Sequence, residues 1–212
     1  MKDLGKPWYV LGMVERNRKK RSLFISQEMY INNFLATFGM QDCKSASTLQ
    51  VPGSRLLPRG DTNAPAASIN YWRAIGLLKY LVTCTRTDLA YSASCLAQFL
   101  NDPSSEHEAA FKHVLQYLSG TQTWGISLGE LGINSVVTLY CDSDWGSNFD
   151  SRSFSGSCLF FYGLVGGKTS KWDVVSLSST EAEYRSISNC CQDVCWILEL
   201  VSNFGLDLKA NV

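Results

Sequence analysis

The 212 residues carry 19 Lys and Arg against 19 Asp and Glu, for a formal net charge of zero, and 45% of them are apolar with 12% aromatic. Such a chain can bury one large or two small cores, which excludes a disordered tail, a collagen-like repeat and a strongly basic nucleic-acid binder. No apolar run reaches the ~18 residues of a membrane helix, and MKDLGKPW is not a signal peptide, so no membrane partner is predicted.

In chain order, Trp8 to Met13 and Ser22 to Gln27 are short β-rich runs on either side of ERNRKKR, which predicts two antiparallel strands and an exposed turn. Arg16, Arg18, Lys19, Lys20 and Arg21 crowd that turn. With them residues 1–60 hold ten Lys and Arg against four acids, a net of +6, which leaves −6 for residues 61–212. The turn suits phosphate contact, which needs positive charge and no particular sequence; a solvated hairpin tip carries the same residues and is the plainer reading.

Glu28 to Phe38 sets Tyr30, Ile31, Phe34, Leu35 and Phe38 on one helical face, and Gly39 stops the helix. Residues 43–70 gather Pro, Gly, Ser, Asn and Asp without a period and read as a linker or extended connection. Three helical patterns follow: YWRAIGLLKYLV, DLAYSASCLAQFL and EHEAAFKHVLQYL. The third is expected to start with Asp102 as N-cap and Pro103 at its first position, and to close at Gly120. His107 and His113, six residues apart on different faces, are expected at the surface or core edge and not as ligands.

After Gly132 the period changes to two. Val136 to Cys141, Gly156 to Tyr162, Thr169 to Trp172 and Val174 to Ser178 predict strands, followed by a long helix from about Thr180 to Phe204. The list of elements then stops, so this α+β domain reads as unfinished. The eight cysteines, three of them in the long helix, form no CxxC. Small core residues explain them better than zinc or disulfides, and the chain has no Asn-x-Ser/Thr sequon. An intracellular setting is expected, with cytoplasm or nucleus left open.

Two acidic clusters stand out by position. Cys141-Asp142-Ser143-Asp144-Trp145 ends a strand, and Thr180-Glu181-Ala182-Glu183-Tyr184 opens the long helix. Carboxylates from a strand end and a helix head can converge on a hard divalent cation, although acids in a first turn also favour the helix dipole with no metal. If Ser178 is the N-cap, Glu181 closes a capping box and Glu183 is left without a structural duty. Glu183 then heads the stripe Ile187, Cys191, Val194, Leu198, Val201 and is expected to face the sheet, where a carboxylate needs a partner or a metal. The pair Thr180 and Glu183 would exchange the two roles.

The string LYCDSDWGSNFDSRSFSGSCLFFYG…KWDVVSLSSTEAEYRSIS resembles the ribonuclease H domain of copia-type LTR retrotransposon polyproteins. Upstream, KDLGKPWYVLGM, LFISQEMYINNFLATFGMQDCK and YWRAIGLLKYLVTCTRTDLAYSASCLAQFLNDPSSEHEAAFKHVLQYLSGT are similar to the same polyprotein in the same order. The resemblance implies a reverse transcriptase palm end with a β-hairpin and helix over residues 1–50 and a linker over 51–70. It further implies a three-helix thumb or connection region over 71–132 and an incomplete ribonuclease H-like mixed sheet with one long helix over 133–212. It also implies an RNA/DNA hybrid or template-primer as partner, together with the rest of the Pol polyprotein. Asp142 matches the first-strand carboxylate and Glu183 the helix carboxylate of a site that holds Mg²⁺, with Asp144 the next candidate ligand.

In that family two further carboxylates and the polymerase aspartates are expected beyond Val212 and before Met1. Half a ligand set cannot fix two ions, so the isolated chain is expected to be inactive. A non-catalytic nucleic-acid-binding scaffold or relic, held by the basic hairpin, is the alternative. The family usually has Pro where this chain has Thr87. Arg152 is expected to stabilise a turn, and Trp145 and Trp172 to pack in the interior.

Overall fold

The computed structural model describes residues 15–17, 22–62, 64–129, 136–205 and 210–211, the first and last of these in backbone only. The expected strand at Trp8 to Met13 and the basic residues Arg18, Lys19, Lys20 and Arg21 lie outside the described residues. The chain divides into two compact units, Met1–Ser127 and Leu128–Val212. The elements are those of a mixed α+β fold.

In the first unit, β1 (Glu15–Asn17) pairs antiparallel with β2 (Ser22–Ser26), Arg16 opposite Leu23. A strand that the sequence reading missed, β3 (Gly125–Leu128), lies on the other side of β2. Gly125 permits the approach: a Cβ there would overlap the Ile25 carbonyl oxygen and stand 2.8 Å from Phe24 Cζ and 2.9 Å from Ser26 Cβ.

Helix α1 (Glu28–Thr37) buries Ile31, Phe34 and Leu35, the predicted face. It ends because Gly39 takes a φ of +64°, and the Met40 N–H then reaches back to the Leu35 carbonyl at 2.9 Å. Four more helices follow, α2 (Arg59–Thr62), α3 (Tyr71–Cys84), α4 (Ala90–Ala97) and α5 (Ser105–Gly120). Ile31, Leu35, Ile75, Leu78, Phe111 and Leu115 are the centre of one core shared by α1, α3 and α5. The stretch 43–70 is an extended connection stitched to this core. The Ala46 N–H donates to Gln116 O at 3.2 Å, the Ala67 N–H to Pro103 O at 2.9 Å, and Leu49, Leu56 and Ile69 are partly buried against it.

Three buried polar groups hold the helix junctions. Arg86, between α3 and α4, is almost wholly enclosed. It grips Asp88 through Nε (3.0 Å) and Nη2 (2.8 Å), and Thr121 through its carbonyl (3.0 Å) and hydroxyl (2.8 Å) oxygens. The rings of Tyr117 and Trp124 lie 5.7 and 5.8 Å from its guanidinium carbon.

Asp102 does not cap α5: it pairs with Arg59 at 2.8 Å, and Ser104 is the N-cap. His107, expected at the surface or core edge, is instead buried in the capping box. Its Nδ1 accepts the Ser104 N–H at 2.9 Å, and its ring stacks on Phe99 at 3.9 Å. Burial holds this imidazole below its usual range. The expectation failed because a neutral histidine is apolar enough to enclose once a backbone N–H satisfies one nitrogen, and spacing alone does not show that partner.

Glu108 accepts from the Ser68 N–H (2.6 Å), the Ser68 hydroxyl (2.9 Å) and Lys112 Nζ (2.7 Å). The bond from Lys112 dominates and, with those from Ser68, outweighs burial, lowering the carboxyl from 4.5 to about 2. A carboxylate depressed in the folded state stabilises fully above its unfolded pKa and loses that contribution as pH falls through its folded pKa. Glu108→Gln is therefore expected to cost about 2 kcal/mol at pH 7 and progressively less between pH 4.5 and 2, read from urea unfolding midpoints of both proteins. An equal gap at pH 7 and pH 2.5 would contradict this assignment.

Thr87 opens the 3₁₀ turn Thr87–Leu89, where proline's fixed φ fits and its missing N–H costs nothing. Arg86 before it sits at φ −118°, ψ 62°, outside the helical region that a following proline disfavours. Thr87→Pro is expected to raise stability by about 0.5–1 kcal/mol; a lower unfolding midpoint would show that the turn is strained by proline.

The second unit is a four-stranded sheet in the order β6-β5-β4-β7, with β4 (Val137–Asp144), β5 (Phe154–Phe160) and β6 (Leu164–Lys171) antiparallel in sequence. The 25-residue α6 (Ser179–Asn203) then crosses to β7 (Ala210–Asn211), which pairs parallel to β4 at Val137 and Thr138. The element list therefore does not stop at the long helix, as expected from the sequence. Nor do Val174 to Ser178 form a strand: they are an irregular loop leading into α6, with Val174, Val175 and Leu177 exposed. A β-branched run needs a neighbouring strand to become one, and here none pairs with it.

Candidate functional site

Strand β4 alternates. Val137 and Leu139 pack against Val194, Ile197 and Val201 of α6, and Cys141 continues their face to Cys190. Tyr140, Asp142 and Asp144 take the opposite face, where all three are exposed. Asp142 stands opposite Gly156 and Asp144 opposite Phe154 in the β4–β5 register, and Asp142 Oδ1 accepts its own neighbour's N–H, from Ser143, at 2.9 Å.

The head of α6 has the expected N-cap, but Glu181 bonds one residue before the cap instead of closing the box on it. Ser178 is the N-cap, its Oγ accepting the Glu181 N–H at 3.1 Å, and Glu181 Oε2 reaches back to the Leu177 N–H at 2.9 Å. Glu183 is thus free of capping, but it does not face the sheet. The buried stripe is Ala182, Ser186, Cys190, Val194, Ile197 and Val201; it shares Val194 and Val201 with the expected one and lies one residue before it at the other four positions, and Glu183 is exposed beside it. The reason is Ser186: its hydroxyl donates to the Asp142 carbonyl at 3.0 Å, so a polar residue occupies the contact that hydropathy assigned to Ile187. Glu183 remains close enough to Cys141 that its charge joins burial and Cys190 in pushing that thiol up.

These placements bring the α6 head to the Asp142 backbone without gathering three carboxylates. Among the described residues no group of three His, Cys, Asp or Glu side chains could hold a metal ion. Asp142, Asp144 and Glu183 by themselves therefore do not fit a closed Mg²⁺ site.

The loop after β4 carries a second charged group that sequence reasoning missed. Asp150 binds Lys171 Nζ at 2.6 Å and Asn148 Nδ2 at 2.6 Å, and accepts the Arg152 N–H at 3.2 Å. Burial pushes its carboxyl up, and these bonds outweigh it and hold it below the usual range. Arg152 lies just past Ser151, whose φ is +60°, and its Nε is 3.6 Å from Asp150, which fits the expected turn role. Trp172 is buried, as expected, with Nε1 donating to Ser155 Oγ at 3.1 Å. Trp145 is not: half its surface is exposed, and its Nε1 holds the Ser176 carbonyl at 2.9 Å.

A groove lined by Lys171, Trp172, Asp173, Arg185 and Asn189 opens nearby. Both of its cations are already held, Lys171 by Asp150 and Arg185 by Glu181 at 2.8 Å. Of the basic turn, Arg16 stands in β1, and the other four residues lie outside the described ones. Among the described residues no helix is long and apolar enough to cross a membrane.

No protein-family profile matches the chain. No solved structure matches it either. Among curated proteins, the retrovirus-related Pol polyprotein from transposon TNT 1-94 of Nicotiana tabacum is 32% identical over 220 aligned residues, covering all of this chain and 16% of that protein. The corresponding polyprotein from transposon RE1 of Arabidopsis thaliana is 33% identical across 98% of the chain and 14% of its own length. An uncharacterized mitochondrial protein of Arabidopsis thaliana is 33% identical, covering 92% of this chain and 80% of that protein. The chain thus spans about a sixth or less of the two polyproteins.

Proposed function

This chain belongs to the family of retrovirus-related Pol polyproteins from transposons, and on that premise we propose that it carries the end of a reverse transcriptase and the first part of a ribonuclease H. Its parent activity is RNA-directed DNA synthesis with cleavage of RNA in RNA/DNA hybrids. The reading is carried by the docking of the α6 head on the β4 backbone at Asp142, through the Ser186 hydroxyl, which fixes the helix that bears Glu183 against the strand that bears Asp142 although the Asp142 side chain lies on the strand's other face. The antiparallel run β4-β5-β6 followed by a helix and a parallel β7 supports it further.

The family resemblance assigns Asp142 and Glu183, with Asp144, to Mg²⁺, but these side chains by themselves are not gathered into a closed site, so no step is placed on the metal. They are part of a ligand set, and the isolated chain is expected to leave a hybrid uncut. The test is a hybrid-cleavage assay with Mg²⁺ on this chain and on a longer Pol product that contains it. The chain should cut no more than its Asp142→Asn variant, and the longer product should cut and lose activity with Asp142→Asn or Glu183→Gln. Robust cleavage by the chain alone, or a longer product indifferent to both substitutions, overturns the reading.

A further inference from the structure

We propose that His107 is an acid-operated catch: a proton taken up by its ring opens the N-cap of α5 and releases the strap 65–68 that is pinned there. The ring is wholly enclosed and stacks on Phe99, 3.9 Å away and tilted by 16°. Its Nδ1 accepts the Ser104 N–H at 2.9 Å, with the Ser104 hydroxyl oxygen also 2.9 Å away, and that oxygen accepts the His107 N–H at 3.5 Å. A nitrogen that accepts a backbone N–H presents its lone pair there, so the proton of the neutral ring sits on Nε2. That atom is buried and has no hydrogen-bond partner among the described residues.

Protonation reverses the sense of the contact. Nδ1 becomes a donor facing another donor, and the Ser104 N–H loses its acceptor inside the fold. Asp102 beside the cap and Glu106 of α5 favour the charged ring, as does the Leu57 carbonyl, and burial outweighs all three. Asp102 is itself engaged by Arg59 of α2 at 2.8 Å, and Glu108 of α5 by Lys112 and Ser68. Ser104 is also where the connection is strapped to α5. Ser104 bridges to Ala66, the Ser105 N–H donates to the Pro65 carbonyl at 2.8 Å, and the Ala67 N–H donates to the Pro103 carbonyl at 2.9 Å. A cap that opens at Ser104 therefore frees the chain at three successive residues, while the apolar core of α1, α3 and α5 stays packed.

Histidine in an unfolded chain titrates near 6.5, and the enclosed ring lies below that, so the catch is closed in full above pH 6.5. Below it, the closing equilibrium weakens by up to about tenfold per pH unit until the folded value is passed. This window lies above the range of 4.5 to about 2 in which Glu108 acts.

The test is hydrogen exchange of the full chain, read by mass spectrometry at pH 7.5 and 5.0 and corrected for the intrinsic pH dependence of exchange. Opening of the peptides spanning 65–68 and 104–107 should rise roughly tenfold or more at the lower pH, with α3 and α6 unchanged. His107→Gln keeps an acceptor at the third helical position and cannot titrate, so its strap should be equally protected at both pH values. His113→Gln, which alters the chain's other histidine, should open as the wild type does. If His107→Gln does not fold, the wild-type ring decides: NMR of its carbon-bound protons should find it neutral at a pH where free histidine is half charged. The proposal is overturned if His107→Gln opens at pH 5.0 like the wild type, or if the ring titrates at or above 6.5. It is equally overturned if strap exchange is the same at both pH values, or if α3 loses protection together with the strap. It concerns the first unit alone and does not depend on hybrid cleavage, so either reading can fail alone.

Discussion

Arg86→Met is expected to destabilise the first unit by about 3 kcal/mol or more, the largest loss from any single side chain outside the apolar core. Methionine keeps much of the volume, so the loss isolates the electrostatics. Asp88 would keep only the Tyr117 hydroxyl at 3.2 Å among the bonds described, and both Thr121 oxygens would lose their guanidinium donors inside the fold. Urea unfolding measures it, and the double variant Arg86→Met/Asp88→Asn should recover part of the loss, because the stranded carboxylate is then neutral. A loss under about 1 kcal/mol, with no coupling in the cycle, would mean that the enclosed guanidinium roughly breaks even against a hydrophobic replacement.

Gly125→Ala should cost about 3 kcal/mol, large for one methyl group. The new Cβ meets the Ile25 backbone oxygen, which cannot rotate away as a side-chain end would, and is hemmed by Phe24 and Ser26 as well. β3 would have to leave β2 or shift along it, so the loss should be accompanied by faster amide exchange in Phe24 and Ile25. Wild-type exchange at those amides, with the stability unchanged, would show that β3 contributes little to the sheet.

The elements that could be read from the sequence are those whose signals are local. The α1 face and its Gly39 stop, and the Ser178 cap with Glu181 three residues on, need nothing beyond one turn of chain. What escaped is polar, buried and partnered at a distance. Gln27 meets Thr85, Arg86 meets Thr121, Ser68 meets Glu108 and Ser186 meets Asp142, pairs separated by 58, 35, 40 and 44 residues. Hydropathy assigns each of these outward, because only the distant partner makes burial tolerable.

The same limit decided the candidate site. Asp142 and Glu183 were found by their places at a strand end and a helix head, and both places are correct. The face on which Glu183 lies was not: near the head of α6 the buried positions are Ala182, Ser186 and Cys190, with the Ser186 hydroxyl on the Asp142 carbonyl, while Val194 and Val201 lie where hydropathy puts them.

The placement of β3 beside β2 has one more consequence. The strand before the helices, starting at residue 22, and the strand after them, starting at residue 125, are neighbours in one sheet, so the helices between form a loop whose two ends lie side by side. Bodies with adjacent ends can be spliced into longer chains without pulling the flanking parts aside. The helical stretch between residues 26 and 125 is thus held at both its ends by one sheet.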